Sequence, residues 1–434
     1  MAQLLIRGGR VIDPAQGLDQ VANVLVENGR IAAIGPGATG APHAEHRQDT
    51  CAAIDAAGLI VTPGLIDLHV HFREPGNEAE ETIASGAAAA VAGGFTAVAV
   101  MPNTEPPVDD EPGVAFQVAQ GQRAGLCRVF PVGAVSLGRK GERLAEMGQM
   151  ARAGAVGFSD DGDPVRSPRL MRTALQYAAM LGKPIIAHCE DKELAGKGVM
   201  HAGLWSVKLG LGGIPAAAEE VMAARDILLA EATPGARLHI THASTRGTVR
   251  LIREAKARGV PITADAAIHH LVLTDAAAAG YDPNVKMNPP LRGEEDVAAL
   301  RAAVADGTID CIISDHAPHT AEEKEVEFAL APFGIIGLET VLPVLITKLI
   351  EPGTLTWPQA IAALTCNPAR ILGIEGGTLA VGAPADITLI DPAADWTIDA
   401  ARFRSKSRNC PFHGWKVRGR AAATIIGGSI KFRA

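Results

Sequence analysis

The chain has 434 residues, 47% hydrophobic and 20% charged, which allows a large core and excludes wholesale disorder. Forty Lys and Arg against 48 Asp and Glu give a net charge of −8 with no basic run, which argues against nucleic acid or an anionic membrane as the main partner. Only 4% of the chain is aromatic, too little for base-stacking platforms.

The N-terminal stretch MAQLLIRGGRVID reaches charge early and carries no secretory apolar core. Residues 1–62 then run as short apolar segments: Leu4-Leu5-Ile6, Val24-Leu25-Val26 and 30–34. Asn28-Gly29 sits between two of them and predicts a type I′ hairpin turn. Residues 376–434 behave alike, with 385–390, 415–418, 423–426 and a Gly427-Gly428 turn before 429–432. Neither end holds enough residues for its own core, so the two are expected to combine into one small β-sandwich domain, 1–62 plus 376–434.

Residues 63–375 repeat a different unit. Apolar runs at 64–72, 95–101, 128–135, 155–161, 184–190, 237–244, 261–268 and 310–316 alternate with Ala-rich stretches of helical length, such as 79–92, 167–181, 216–232 and 245–258. Eight buried, β-branched strands alternating with helices predict an α/β fold, a parallel (β/α)8 TIM barrel. The apolar stretch 338–350 is too short to span a bilayer and is broken by Glu339 and Lys348. The six cysteines, Cys51, Cys127, Cys189, Cys311, Cys366 and Cys410, include no C-x-x-C pair and read as free thiols in a reducing compartment. A soluble cytoplasmic protein is expected.

In such a barrel the functional groups gather at the C-terminal strand ends. Those ends carry His69 and His71 on the first run, Asn103 after the second, Asp160 and Asp161 on the fourth, His188 on the fifth, His242 on the sixth and Asp315-His316 on the eighth. His69 and His71 are two apart on a strand and share one face. Four imidazoles and two carboxylates in one mouth are costly to bury without a cation, and they supply the nitrogen and oxygen ligands of a zinc site. His201, His239, His269 and His270 read as structural. His43, His46 and His413 read as surface residues of the terminal segments.

With these residues in place the sequence resembles the amidohydrolase superfamily and, within it, the class I dihydroorotases. The resemblance rests on Asp67-Leu68-His69-Val70-His71-Phe72-Arg73-Glu74-Pro75-Gly76, Met101-Pro102-Asn103-Thr104, Phe158-Ser159-Asp160-Asp161-Gly162, His188-Cys189-Glu190-Asp191, Asn288-Pro289-Pro290-Leu291-Arg292 and Ser314-Asp315-His316-Ala317-Pro318-His319. H-x-H alone is a weak signal; this ordered set is specific. Hydantoinases, allantoinases and some other dihydroorotases place a carbamylated lysine on the fourth strand. Here no Lys lies between Lys140 and Lys183, and the acidic pair stands instead. The resemblance assigns the bridging ligand to Asp161, although spacing alone leaves Asp160 open.

The resemblance implies a reversible reaction, closure of N-carbamoyl-L-aspartate to L-dihydroorotate in pyrimidine biosynthesis, with one or two zinc ions. His69, His71, Asp161 and Asp315 would hold one ion; Asp161, His188 and His242 would hold a second. Asp315 would move the proton. His71, Arg73, Asn103 and His319 would meet the substrate, the last three gripping its carboxylate. Asn288 would bond the ring edge, and the backbone at Phe333 and Gly334 would contact the ring. A homo-oligomer and a complex with aspartate transcarbamoylase are further expectations. The charged loop 320–332 reads either as a lid or as a solvated loop. Two other readings compete: another cyclic amidohydrolase, such as a hydantoinase or allantoinase, and a catalytically silent relative that scaffolds a partner.

Overall fold

The chain enters on five short strands: β1 (Gln3–Asp13), β2 (Leu18–Glu27), β3 (Arg30–Gly35), β4 (Ala52–Asp55) and β5 (Ile60–Pro63). The structure, a computed structural model, describes residues 3–38 and 52–434; Cys51, His43 and His46 lie outside them. Asn28 and Gly29 join β2 to β3 with φ of 51° and 75°, as a type I′ turn requires. In β1 the register shifts between Ile6 and Gly9, so its first half pairs with β4 and its second half with β5. Glycine is needed there, because a Cβ on Gly9 would lie 2.5 Å from Val61 Cγ2.

The central region then supplies β6 (Leu65–Val70), β7 (Phe95–Val100), β8 (Arg128–Pro131), β9 (Ile185–Ala187), a small parallel pair β10 (Met200–His201) and β11 (Gly213–Ile214), β12 (Leu238–Ile240), β13 (Ile262–Ala267) and β14 (Cys311–Ile313). β6, β7 and β8 pair in parallel, as do β9, β12, β13 and β14. The run at 155–161, expected as a full strand, makes only single-residue bridges from Phe158 to Gly133 and to Ile185. It still acts as a stave: Val156 N–H donates to Pro131 O and Ile186 N–H to Phe158 O. It ends early because Ser159-Asp160-Asp161 turn the chain, and Asp160 bonds the backbone of Val135 and Ser136. The barrel closes where His71 N–H donates to His316 O at 2.9 Å.

The predicted helices stand at Ile83–Gly93, Pro168–Leu181, Ala216–Glu231 and Arg246–Ala257. Ser167 and Thr245 cap the second and fourth of these through their hydroxyls, which explains where they start. Inside the barrel, Leu68, Ala99, Val132, Val156, Ile186 and Ile313 form an apolar floor. The strands therefore present their polar ends above a dry plug.

The chain finishes on β15 (Ile387–Thr397), β16 (Lys416–Ile426) and β17 (Ser429–Arg433), with Gly427 and Gly428 turning between the last two. These strands join the first five in one hydrogen-bonded sheet, ordered β17-β16-β15-β5-β1-β2-β3, with β4 beside β1. Ile6, Val24, Val61, Ile387, Leu389 and Ile425 give it a core of its own. Arg128 on β8 fixes the sheet to the barrel through a two-pronged bond to Asp386, at 2.6 and 3.1 Å. The described cysteines are all free thiols. Among the described residues no helix is long and apolar enough to cross a membrane.

Candidate metal centre and substrate pocket

The polar strand ends meet in one buried cluster. Asp161 stands at its middle: Oδ2 lies 3.3 Å from His69 Nε2 and 3.5 Å from His71 Nε2, while Oδ1 lies 3.1 Å from His242 Nε2 and 3.5 Å from His188 Nδ1. Asp315 Oδ1 closes the first group, 3.3 Å from His71 Nε2 and 3.6 Å from His69 Nε2. One carboxylate thus straddles two sets of ligand atoms. Asp160, left open by spacing, turns away from the cluster and spends its carboxylate on the backbone N–H groups of Val135 and Ser136. His242 and Asp315 hold φ of 36° and 48°, and Arg73 holds 60°. Non-glycine residues adopt such angles at a cost, and here they are three residues of the site.

A second layer fixes the imidazoles. Asn103 Oδ1 accepts from His71 Nδ1 at 2.7 Å. Thr241 donates to Asp265, so its oxygen accepts from His69 Nδ1 at 2.8 Å. Both Nδ1 atoms therefore carry the proton, and both Nε2 atoms present lone pairs. The two Nε2 atoms are 3.3 Å apart. Two such lone pairs repel unless a cation lies between them. With no cation between them, the surrounding carboxylates draw positive charge onto the rings themselves. Burial pushes His69 down, yet Asp161 and Asp315 overcome it and raise the ring to about 10. His188 is likewise held at about 9 against burial by Asp161 and Glu190. Asp315 Oδ2 is buried with no hydrogen-bond partner. The cluster demands positive charge and fits a divalent ion bound by nitrogen and oxygen. His69, Asp161 and His242 form one group able to hold an ion, and His69, His71 and Asp315 another.

A cavity of about 300 Å³ opens above the cluster, lined by His71, Arg73, Asn103, Asn288, His319 and Phe333 among others. Arg73 is buried; its Nε lies 2.9 Å from Glu80 Oε2 and 3.1 Å from Pro318 O. That anchor sets the plane of the terminal fork, whose Nη2 lies 3.5 Å from His319 Nε2. Three expected contacts differ in detail. Asn103 already holds His71 through its oxygen, which leaves its amide N–H groups. His319 gives its Nε2–H to Phe333 O at 2.9 Å, and burial with Arg73 and Lys324 nearby keeps the ring neutral, down to about 3. Its one proton is thus committed. Gly334 N–H donates to Lys286 O and its carbonyl accepts from Asn409, so its N–H is not free for a ring.

The sequence reading missed several residues. Lys192 lines the cavity, pairs with Glu190 and donates to Gly162 O at 3.2 Å. Glu190 also accepts from Asn288 Nδ2 at 3.2 Å and lies 3.4 Å from His188 Nε2. Glu190 had a visible signal, its place two residues after His188. Thr241, Asp265 and Glu80 had none. His239 packs in the same network, with Nε2 2.7 Å from Asp265. His269 and His270 sit on a short helix, Ile268–Val272, rather than on the strand end; both are buried, and His269 has no partner on either nitrogen. His201 is half-buried, its Nδ1 3.3 Å from Arg292, and His413 is exposed. The loop 320–332 turns Lys324 inward, where it donates to Pro283 O and Pro332 O.

The profile of the Amidohydrolase family matches residues 60–431. A dihydroorotase of Pelotomaculum thermopropionicum is 56% identical over 99% of this chain and 98% of its own length. One from Geobacter metallireducens is 53% identical over 99% of both. Among solved structures, the L-hydantoinase (dihydropyrimidinase) of Arthrobacter aurescens superposes with a TM-score of 0.85 at 27% identity, covering 99% of this chain and 96% of that one. A D-hydantoinase (dihydropyrimidinase) from Thermus sp. gives 0.80 at 28%, covering 99% and 95%.

Proposed function

The chain belongs to the amidohydrolase family and within it to the dihydroorotases, and from that premise we propose how its pocket works. It is a metal-dependent cyclic amidohydrolase of pyrimidine biosynthesis. The substrate pair is N-carbamoyl-L-aspartate and L-dihydroorotate, interconverted with loss or gain of one water. The observation that carries the reading is the Arg73 fork lining the same 300 Å³ cavity as Asp161 and Asp315. An anionic, single-ring amide needs a cation at one side and a hydrolytic centre at the other.

His69, His71, Asp161 and Asp315 would hold one ion, and Asp161, His188 and His242 a second; zinc suits this donor set. Such an ion lowers the pKa of water toward about 7 and polarises the amide carbonyl. The chain's own groups do the rest. Arg73 and the Asn103 amide hold the exocyclic carboxylate and fix the ring in the cavity. Asn288 donates to Glu190, which leaves its carbonyl oxygen for a ring N–H. In hydrolysis, Asp315 takes the proton of the attacking water through its unpartnered Oδ2 and gives it to the ring nitrogen as the C–N bond breaks. In ring closure the ureido nitrogen attacks the side-chain carboxyl carbon. The carboxyl enters protonated; Asp315 then takes the N–H proton and passes it to the departing hydroxyl, which leaves as water.

The hydantoinase reading rests on fold neighbours at 27–28% identity, against 53–56% for the dihydroorotases. The silent-scaffold reading predicts lost ligands, whereas His69, His71, Asp161, His188, His242 and Asp315 are all present. Division at 62/63 and 375/376, a cytoplasmic location, a homo-oligomer and a transcarbamoylase complex belong to the same proposal. Turnover of dihydroorotate, hydantoin and allantoin, measured side by side with metal content, tests it. Dihydroorotate should open fastest by a wide margin, and Asp315→Asn should cut that rate about 10²–10⁴-fold. Faster hydantoin opening would overturn the substrate assignment.

A further inference from the structure

A second cleft, of about 460 Å³, shares no lining residue with the catalytic pocket. Arg402, Arg404, Arg420 and Arg433 all line it. All four residues are exposed, and none of the four side chains has a hydrogen-bond or ion-pair partner among the described residues. Arg418, two positions before Arg420, pairs with Glu351 at 3.1 Å, so exposed arginines in this region do find carboxylates where these exist.

Two acidic side chains, Asp399 and Glu339, and the carboxylate of Ala434 share the lining with the four arginines. Asp399 accepts from Ala401 N–H and lies 3.9 Å from His413. Glu339 accepts from the backbone N–H groups of Arg404 and Ser405, and burial raises its carboxyl to about 7. A concave positive site in a chain of net charge −8 is not a by-product of composition. Several unpaired arginines on one lining suit a multidentate oxyanion such as phosphate.

Three aromatic residues share the wall. Trp396 and Phe432 are half-buried on it, and Phe403 lies between Arg402 and Arg404. Trp396 is held by its Nε1–H on Gly419 O at 3.0 Å, so the indole is a fixed surface. Rings beside arginines take a flat π-system next to an anion. The volume is that of a small-molecule site, within the usual range of roughly 300–1,000 Å³.

We propose that this cleft binds a nucleoside monophosphate, its phosphate against the four arginines and its base against the aromatic wall. A longer nucleic acid is the less favoured occupant, because the chain as a whole carries a net charge of −8.

The test is calorimetric titration of the metal-loaded full chain with uridine monophosphate, inorganic phosphate, uridine and a short single-stranded DNA. The expected Kd for the nucleotide is about 0.1 mM or tighter at about 0.1 M salt, with phosphate alone at least about tenfold weaker and uridine unmeasurable. Replacing Arg402→Gln together with Arg433→Gln should weaken the nucleotide at least about tenfold and leave melting temperature and dihydroorotate turnover unchanged. Exposed, unpartnered arginines cost little to replace, so the variant should fold. No nucleotide binding up to about 1 mM overturns the proposal, as does equal affinity for phosphate and nucleotide, tighter binding of DNA than of the nucleotide, or an unchanged Kd in the double variant.

Discussion

The hydroxyl of Thr241 lies 2.8 Å from Nδ1 of His69 and donates onward to Asp265 at 3.1 Å. Asp265 also accepts from the His242 backbone at 2.5 Å and lies 2.7 Å from His239 Nε2. One buried carboxylate therefore orients two candidate ligands, His69 through a hydroxyl and His242 through its main chain. Removing the hydroxyl while keeping the shape should leave the fold intact and free the His69 ring to turn. Thr241→Val is expected to weaken metal binding about 10–100-fold, as outer partners of ligating histidines do. Competition with a chelator, read as metal retained per chain, measures it. A retention curve identical to that of the unaltered protein would remove Thr241 from the relay.

The contrast between Thr241 and His69 shows what a sequence exposes. His69 and His71 stand out because two imidazoles at a period of two share a face, and a run of buried strands says which end they occupy. Thr241 and Asp265 are ordinary strand residues until a fold places them beside a histidine. Asn103 and His319 were visible as polar groups at the mouth. Their bonds to His71 and to Phe333 O were not, since partners from distant segments leave no trace in spacing. The terminal segments were legible as strands from apolar runs and paired turns, but not the order in which eight strands share one sheet. Lys324 was hidden by its company: a charged loop reads as solvated, and nothing local says that one of its lysines turns inward.

Asp160 and Asp161 are adjacent and chemically identical, and their surroundings differ. Asp161 faces four imidazoles and is held well below the usual carboxylate range by His69, His188 and His242, against the effect of burial. Asp160 ties down the turn at Val135 and Ser136, and burial raises it. Asp161→Asn should lose metal and turnover together and keep a near-normal melting temperature. Asp160→Asn should keep its metal and lose stability, about 1–3 kcal/mol for a disturbed buried hydrogen-bond set. Denaturant midpoints and metal content on both variants separate the roles; metal loss from the Asp160 variant alone would reverse them.

Glu339 gives a stability prediction with a definite sign. Burial raises its folded carboxyl to about 7, above the unfolded value of about 4.3. The folded state therefore holds a proton that the unfolded state has already released between those values. Stability from this group is full below pH 4.3, is lost as pH rises, and is gone above pH 7. Both backbone N–H groups bond to Oε1, which glutamine also supplies. Glu339→Gln should match the unaltered protein near pH 4 and become more stable by up to about 3 kcal/mol at pH 8. Melting curves at the two pH values check it; a difference that does not change with pH rules it out.

Arg73 is the residue on which substrate affinity should turn. Its Nε–H donates to Pro318 O and lies in an ion pair with Glu80, so the guanidinium plane is set before any ligand arrives. Terminal nitrogens fixed in this way match the two oxygens of a carboxylate at little entropic cost. A lysine keeps the charge and loses the fork, and its ammonium cannot bond Glu80 and a substrate carboxylate in one plane. Arg73→Lys should raise KM for dihydroorotate about tenfold or more, the loss of one charge-assisted bond, while kcat changes less because the proton-moving Asp315 is untouched. Steady-state kinetics in both reaction directions would show it. The increase should also appear with N-carbamoyl-L-aspartate, which carries the same carboxylate. A KM that stays where it was in either direction would put the carboxylate clamp elsewhere in the pocket, with Lys192 the next cation to replace.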